Sequence, residues 1–345
     1  LTQSASKQAQ VQGDMAIAAG STLYYSLLYC SELVQRRSID TLKLVNTLST
    51  TLFDVNEPQV AEKKIHWWHE ELSRLANQEA RHPDCISVQA YQHNQSSLKA
   101  CLNILSAAAS ERYNPLSTEH DLREHIISDY RARMTLFEHA LKSDNQSTDL
   151  HAEPAKNTAP SGVQPITFQP APSATNSAEQ RQNLKDDQSP KGRENLKARD
   201  AMALGLGYCH RLNSLSARIQ SGYPVFSDEL YQRFNMTPEA IAGDSDAQAL
   251  LNHTIAQAND ALSNSIGLTN AHLSNSHLSN KKKSSEKLDQ FPIPLCLHIM
   301  CHIREAQMRL WQKKQPNLFR ESVALTPLRK FFIAYRCKRR YRTQG

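Results

Sequence analysis

An all-α fold is what this sequence predicts, and three observations carry it. Apolar residues recur at spacings of three and four through most of the chain, the period of one helix face. No segment sustains the period-two alternation of a half-buried strand. Only 10 glycines occur in 345 residues, while Ala, Leu, Gln, Glu and Lys are common, so long helices with few tight turns are favoured.

The elements follow in order. Spacing predicts a helix over 15–35 and a second over 38–54, where Ile39, Leu42, Val45, Leu48 and Leu52 form one face. Pro58 stands near the start of the next helix, where its missing N–H costs nothing. There Val60, Ile65, Trp68, Leu72 and Leu75 form a stripe that ends at His82-Pro83. Further helices are predicted over 84–110 and 118–143.

Residues 144–198 hold six of the 15 prolines among Ser, Asn, Gln, Asp and Lys, with few large apolar groups. Such a stretch buries too little surface to offset its ordering entropy, so it is predicted to be a disordered insertion. Periodicity resumes over 195–220 and breaks at Gly222-Tyr223-Pro224. Short helices over 227–234 and 237–242 and a longer one over 245–266 follow. The tandem His272-Leu273-Ser274-Asn275 and His277-Leu278-Ser279-Asn280, then three lysines, predicts a polar loop over 268–287. Helices over 293–314 and 326–341 close the chain. The expected organisation is one bundle in two halves, 1–143 and 199–345, on either side of the insertion.

A net charge of +6 lacks the clustered basicity and recognition motif of a nucleic-acid binder, so nucleic acid is not an expected partner. Seven scattered cysteines suggest reduced thiols and an intracellular setting. No basic segment followed by an apolar core opens the chain, and no apolar run of about 18 residues occurs. The expectation is a cytoplasmic protein without a membrane span, with at most peripheral contact with an inner membrane.

The segment Lys64-Ile65-His66-Trp67-Trp68-His69-Glu70-Glu71-Leu72, lying after Pro58, resembles the signature of the squalene/phytoene synthase family. Three other stretches agree in order. Gly20-Ser21-Thr22-Leu23-Tyr24-Tyr25 is similar to that family's opening region, Gly205 to Phe234 to its second motif region, and Leu318 to Lys330 to its closing segment. The resemblance implies an all-α isoprenoid-synthase bundle. Active members of the family join two prenyl diphosphates head to head, with Mg²⁺ held between the diphosphates and two Asp-rich helix motifs. It also makes Ser21, Tyr24 and Arg218 candidates for contact with a ligand.

The chemistry of that reaction needs carboxylates at i and i+4 on one helix face to hold the metal. Counting back from Trp67-Trp68, the first motif falls at Ser49-Thr50-Thr51-Leu52-Phe53, and no Asp or Glu occurs from 41 through 53. Asp54 follows one residue later, about 100° around a helix. Residues 201–227 hold no acid either, and the expected second Asp falls near Arg218. Ser49, Phe53 and Arg218 are therefore degenerate motif positions. An arginine there repels Mg²⁺ yet can hold a phosphate through its guanidinium fork. The losses resemble a degenerate branch of the family, the complex I assembly factors of mitochondria.

Other clusters have plainer readings. His66 and His69 suit an exposed helix face. Cys296, His298, Cys301 and His302 are metal-like in type, but Leu297, Ile299 and Met300 fill the same segment, so a core helix is the favoured reading and no metal site is expected. Residues 328–342 carry seven Lys or Arg among Leu328, Phe331, Phe332, Ile333, Tyr335 and Tyr341. That pattern fits either a terminal bundle helix or peripheral contact with an anionic membrane.

Two functions remain open at this level. One is a non-catalytic protein that binds an isoprenoid, a lipid or a protein partner, with a place in respiratory-complex assembly and no cofactor. The other is an active Mg²⁺-dependent prenyltransferase of squalene or phytoene type. The acid-free windows favour the first.

Overall fold

A computed structural model describes residues 18–53, 55, 57–114, 116–142, 190–238, 241, 247–279, 293–316, 318 and 323–344. Among them are twelve helices and no strand: α1 (Thr22–Leu27), α2 (Glu32–Thr50), α3 (Pro58–Ala76), α4 (Pro83–Gln92), α5 (Gln95–Tyr113), α6 (Glu119–Lys142), α7 (Pro190–Asn213), α8 (Leu215–Gln220), α9 (Asp228–Arg233), α10 (Ala247–Ser279), α11 (Leu295–Lys314) and α12 (Pro327–Gln344).

Short polar side chains break what periodicity alone would run together. The expected helix over 15–35 becomes α1 and the start of α2; its residues before 18 lie outside the described residues. Ser21 caps α1 by accepting from the Tyr24 N–H at 3.0 Å, and Ser31 caps α2 by accepting from Val34 at 3.4 Å. The expected 84–110 helix divides at His93-Asn94, where Asn94 accepts from the Ser97 N–H at 2.9 Å. The 195–220 helix divides at Ser214. There the side chains of Asn213 and Ser214 donate back to the carbonyls of Cys209 and His210, a local alternative to continuing the ladder.

Two polar stretches are partly helical. Residues 190–198, expected within the disordered insertion, form the first turns of α7. Pro190 opens the helix, Ala198 is fully buried, and the neighbouring Arg199 donates to Glu138 at 2.7 Å. Residues 268–279, expected within a polar loop, continue α10, with Thr269 buried and its hydroxyl on the Ser265 carbonyl. Positions 144–189 and 280–287 of those two stretches lie outside the described residues, as do 239, 240 and 242 of the expected 237–242 helix.

Helix α7 is the axis of the bundle. It packs against α10 along one side and α6 along another, and α11 closes against both α10 and α7. Glycine makes the close approaches. A Cβ on Gly205 would meet Leu262 of α10 at 2.6 Å from Cγ and 3.0 Å from the backbone nitrogen. A Cβ on Gly207 would run into Ile126 and Tyr130 of α6. A second apolar cluster joins α2, α3, α4, α5 and α6 around Leu44, Leu48, Trp68, Leu72 and Leu105. The tandem tryptophans divide their work: Trp68 is buried, its Nε1 donating to Thr51 at 2.7 Å, while Trp67 faces outward. The Glu71 carboxylate is fully buried and accepts from the backbone N–H groups of Arg81 and His82 at 2.6 and 2.7 Å, which fixes the α3–α4 turn. A third cluster packs α1, α11 and α12 through Tyr25, Ile299, Ile303, Ala334 and Cys337. The seven cysteines form no disulfide. No helix among the described residues is long and apolar enough to cross a membrane.

Because the obstacle to a side chain at position 205 includes backbone, Gly205→Ala should destabilise the protein by about 1–3 kcal/mol. Urea unfolding followed by helical circular dichroism measures it; Gly267→Ala, where a Cβ meets nothing within 4 Å, is the matched control and should be neutral or slightly stabilising.

Candidate functional site

The two windows that lack acids meet in space. The last turn of α2 delivers Ser49, whose hydroxyl donates to the Val45 carbonyl at 2.6 Å and accepts from Nη2 of Arg133 at 2.9 Å. The turn after α2 places the ring of Phe53 against Tyr223, with centroids 4.3 Å apart. Tyr223 follows Gly222, whose φ of 69° lies in the left-handed region that glycine tolerates. Arg112 spans the junction. Its guanidinium covers the Tyr223 ring at 5.4 Å and donates to the carbonyls of Ser221 and Val55, both at 3.3 Å.

Each window faces a carboxylate, and arginine already holds it. Arg133 of α6 lies one turn after Asp129, and its Nε is within 3.0 and 2.9 Å of the two Asp129 oxygens. The same guanidinium lies 5.0 Å over the Tyr130 ring. Beside the second window, Glu111 of α5 is 8% exposed and takes four donors. Arg218 gives Nη1 and Nη2 to Oε2 at 2.9 and 2.6 Å, Arg211 donates to Oε1, and His125 Nε2 lies 2.9 Å from the same oxygen. Burial by itself pushes the Glu111 carboxyl up. Arg211 and Arg218 outweigh it and hold the group far below the usual carboxylate range. Arg218 is 6% exposed, and burial together with the nearby Arg211 lowers its pKa to about 10.

His210, near the end of α7, lies beside these pairs. The residue is accessible to solvent, yet burial is the largest cause of its strongly lowered pKa, followed by Arg133, Arg218, Arg304 and Arg211. It is neutral, with its ring 5.9 Å from that of Tyr130.

Of the residues singled out by sequence, Ser49, Phe53 and Arg218 all come to this junction. Ser21 and Tyr24 belong to α1, which packs on α11 and α12; Ser21 caps the helix and Tyr24 lies edge-on to Tyr25 at 5.1 Å. His66 pairs with Glu70 on the surface. Sequence reasoning did not find Glu111, Asp129, Arg133, Arg211 or His210. Asp129 and Arg133 are legible as an i, i+4 ion pair; Glu111 carries no such local signal, because its partners come from other helices.

The chain superposes on the crystal structure of a dehydrosqualene synthase in complex with a ligand, with a TM-score of 0.59 and 11% identity, covering 93% of this chain and 92% of that one. This chain has the isoprenoid-synthase fold. At that identity the likeness concerns the fold alone. No protein-family model matches the sequence, and the search of curated proteins found no match. Within the isoprenoid-synthase fold of this chain, the junction of α2, α5, α6 and α8 is closed by ion pairs that the protein makes with itself.

The depressed pKa of Glu111 carries a pH signature. A carboxyl whose folded pKa lies below its ordinary 4.5 adds stability that is present above that value and lost as pH falls through the folded one. Thermal midpoints of the wild type should therefore drop as pH falls from about 6 to about 3. Glu111→Gln should be about 3–5 kcal/mol less stable at neutral pH, since it strands buried arginines, and should show a shallower acid slope.

Proposed function

We propose that this chain is a non-catalytic protein on the isoprenoid-synthase fold, binding an isoprenoid or lipid through its anionic head. One observation carries it: the carboxylates beside both windows, Asp129 and Glu111, are already paired with arginine. A diphosphate–Mg²⁺ complex needs carboxylate oxygens free to enter the metal's coordination shell. Freeing Glu111 would leave Arg211 and Arg218 buried without a counter-charge, at several kcal/mol. The arginines of these pairs carry guanidinium, a group that also binds phosphate oxygens directly, and Arg133 is the more exposed of them. The cellular setting that the motif losses suggest is respiratory-complex assembly, with the bound lipid or a protein partner as the cargo. Catalysis of squalene or phytoene type would require carboxylates displaced from both windows.

Incubation with farnesyl diphosphate, with and without Mg²⁺, separates the two. The expected result is binding that Mg²⁺ does not strengthen and no release of diphosphate, with Arg133→Gln weakening binding at least tenfold. Release of diphosphate with formation of a coupled hydrocarbon product would establish the prenyltransferase instead.

A surface feature supports work beside a membrane. On α12, Lys330, Ala334, Cys337 and Tyr341 face the bundle. On its other side Leu328, Phe331, Phe332 and Tyr335 are 65%, 40%, 52% and 49% exposed. At 100° per residue these four span about one third of the helix circumference. Arg329, Arg336 and Arg340 border the stripe on one edge and Lys338 on the other, and exposed Arg339 continues the same face one turn beyond Tyr335. An apolar stripe with basic edges suits the interface of an anionic bilayer. The protein should float with vesicles of phosphatidylcholine and phosphatidylserine more than with phosphatidylcholine alone. The double substitution Leu328→Ser and Phe332→Ser should reduce flotation several-fold without changing helix content. Equal flotation of variant and wild type would remove α12 from this role.

A further inference from the structure

We propose that His298 and His302 of α11, with Cys337 of α12, form a binding site for zinc or a chemically similar divalent ion, with three protein ligands and an open fourth position. The two histidines stand four apart on one helix, so both rings project from one face. Packing of α12 onto α11 brings Cys337 to that face. The ligand atoms of the three residues all lie within 4.8 Å of one another. The two Nε2 atoms are 3.2 Å apart. Zinc–nitrogen bonds of about 2.0–2.1 Å in tetrahedral arrangement separate two nitrogens by about 3.3 Å, so the pair needs almost no movement to take the ion. Closing the thiol sulfur toward the nitrogens completes the set. Two imidazoles and a thiolate suit zinc better than hard cations such as Mg²⁺ or Ca²⁺.

His298 is 2% exposed, and its Nε2 is turned to His302 with the buried Cys337 thiol beside the pair. A simple hydrogen bond between the two rings accounts for the 3.2 Å contact but gives the thiol no role. The histidines are in the protonation state that a metal needs. Burial, then the neighbouring His302, lowers the pKa of His298 to about 3, and burial also lowers that of His302, so both rings offer lone pairs at neutral pH. Burial raises the Cys337 thiol to about 12, so the ion takes the place of its proton on binding, and the proton goes to solvent.

The surroundings support the same assignment. Oε2 of Glu305 lies 3.8 Å from Nδ1 of His302, on the far side of the ring from the cluster. Glu305 is itself held by Ser263 at 2.9 Å and Arg309 at 2.6 Å. A carboxylate behind a metal-binding histidine orients the ring and raises its basicity. Arg340 bears electrostatically on all three residues and opposes a cation; the thiolate and Glu305 offset it. The ion would pin α12 to α11, and with it the direction in which α12 presents its exposed aromatic stripe. The site does not depend on what binds beside Arg133 and Arg218.

The test uses the full chain, reduced and stripped with a chelator, then titrated with Co²⁺ and Zn²⁺. The expected result is one ion per chain, a thiolate-to-cobalt charge-transfer band, displacement of cobalt by zinc, and a thermal midpoint raised by several degrees. Cys337→Ser should abolish the band, and Cys296→Ser, outside the cluster, should keep it. His302→Gln, altering the most exposed ligand, should weaken cobalt binding at least tenfold while retaining helical circular dichroism, and it serves if Cys337→Ser does not fold. Substoichiometric uptake by the wild type, a band that persists in Cys337→Ser or disappears in Cys296→Ser, or unchanged affinity in folded His302→Gln would each overturn the site.

Discussion

Glu111 is the constraint on which the centre of the bundle depends. A single carboxylate on α5 gathers Arg211 from α7, Arg218 from α8 and His125 from α6. Each of these groups would be costly to bury alone. Together they satisfy one another, and the geometry that satisfies them fixes where α8 and the loop after it must lie. Arg211 extends the constraint by donating to the carbonyls of Pro224 and Val225, so the loop is tied down by backbone as well as by charge. The glycines of α7 complement this node. Gly205 and Gly207 let α10 and α6 approach the axis closely, and side chains of three helices reach the one carboxylate.

The carboxylates beside the two acid-free windows, Asp129 and Glu111, are engaged in ion pairs within the chain. The ion pairs also stabilise the closed junction itself, with Phe53 on Tyr223 and Arg112 bridging both sides.

At the other end of the molecule, α12 joins two features that were separate in the sequence. Its inner face delivers Cys337 to the histidines of α11, and its outer face presents aromatic residues between basic edges. Lys330 adds a further tie, donating to the Gly20 carbonyl at 2.7 Å and so linking the last helix to the first.

By itself the sequence determined the all-α class, the stripes at helical spacing and the emptiness of both acidic windows. These are local properties: a stripe needs only its own residues, and a missing carboxylate is missing in any fold. Some helix breaks were legible in principle, since Ser31, Asn94 and Ser214 act on their own neighbours. The extent of α7 and α10 was not. Residues 190–198 and 268–279 read as polar, but burial of Ala198 and Thr269 against other helices decides their state. Tertiary structure alone decided that Arg211 and Arg218 hold Glu111, and that His298 and His302 meet Cys337. Ion pairing and ligation act over a few ångströms between groups on different helices, and spacing along the chain does not encode that distance.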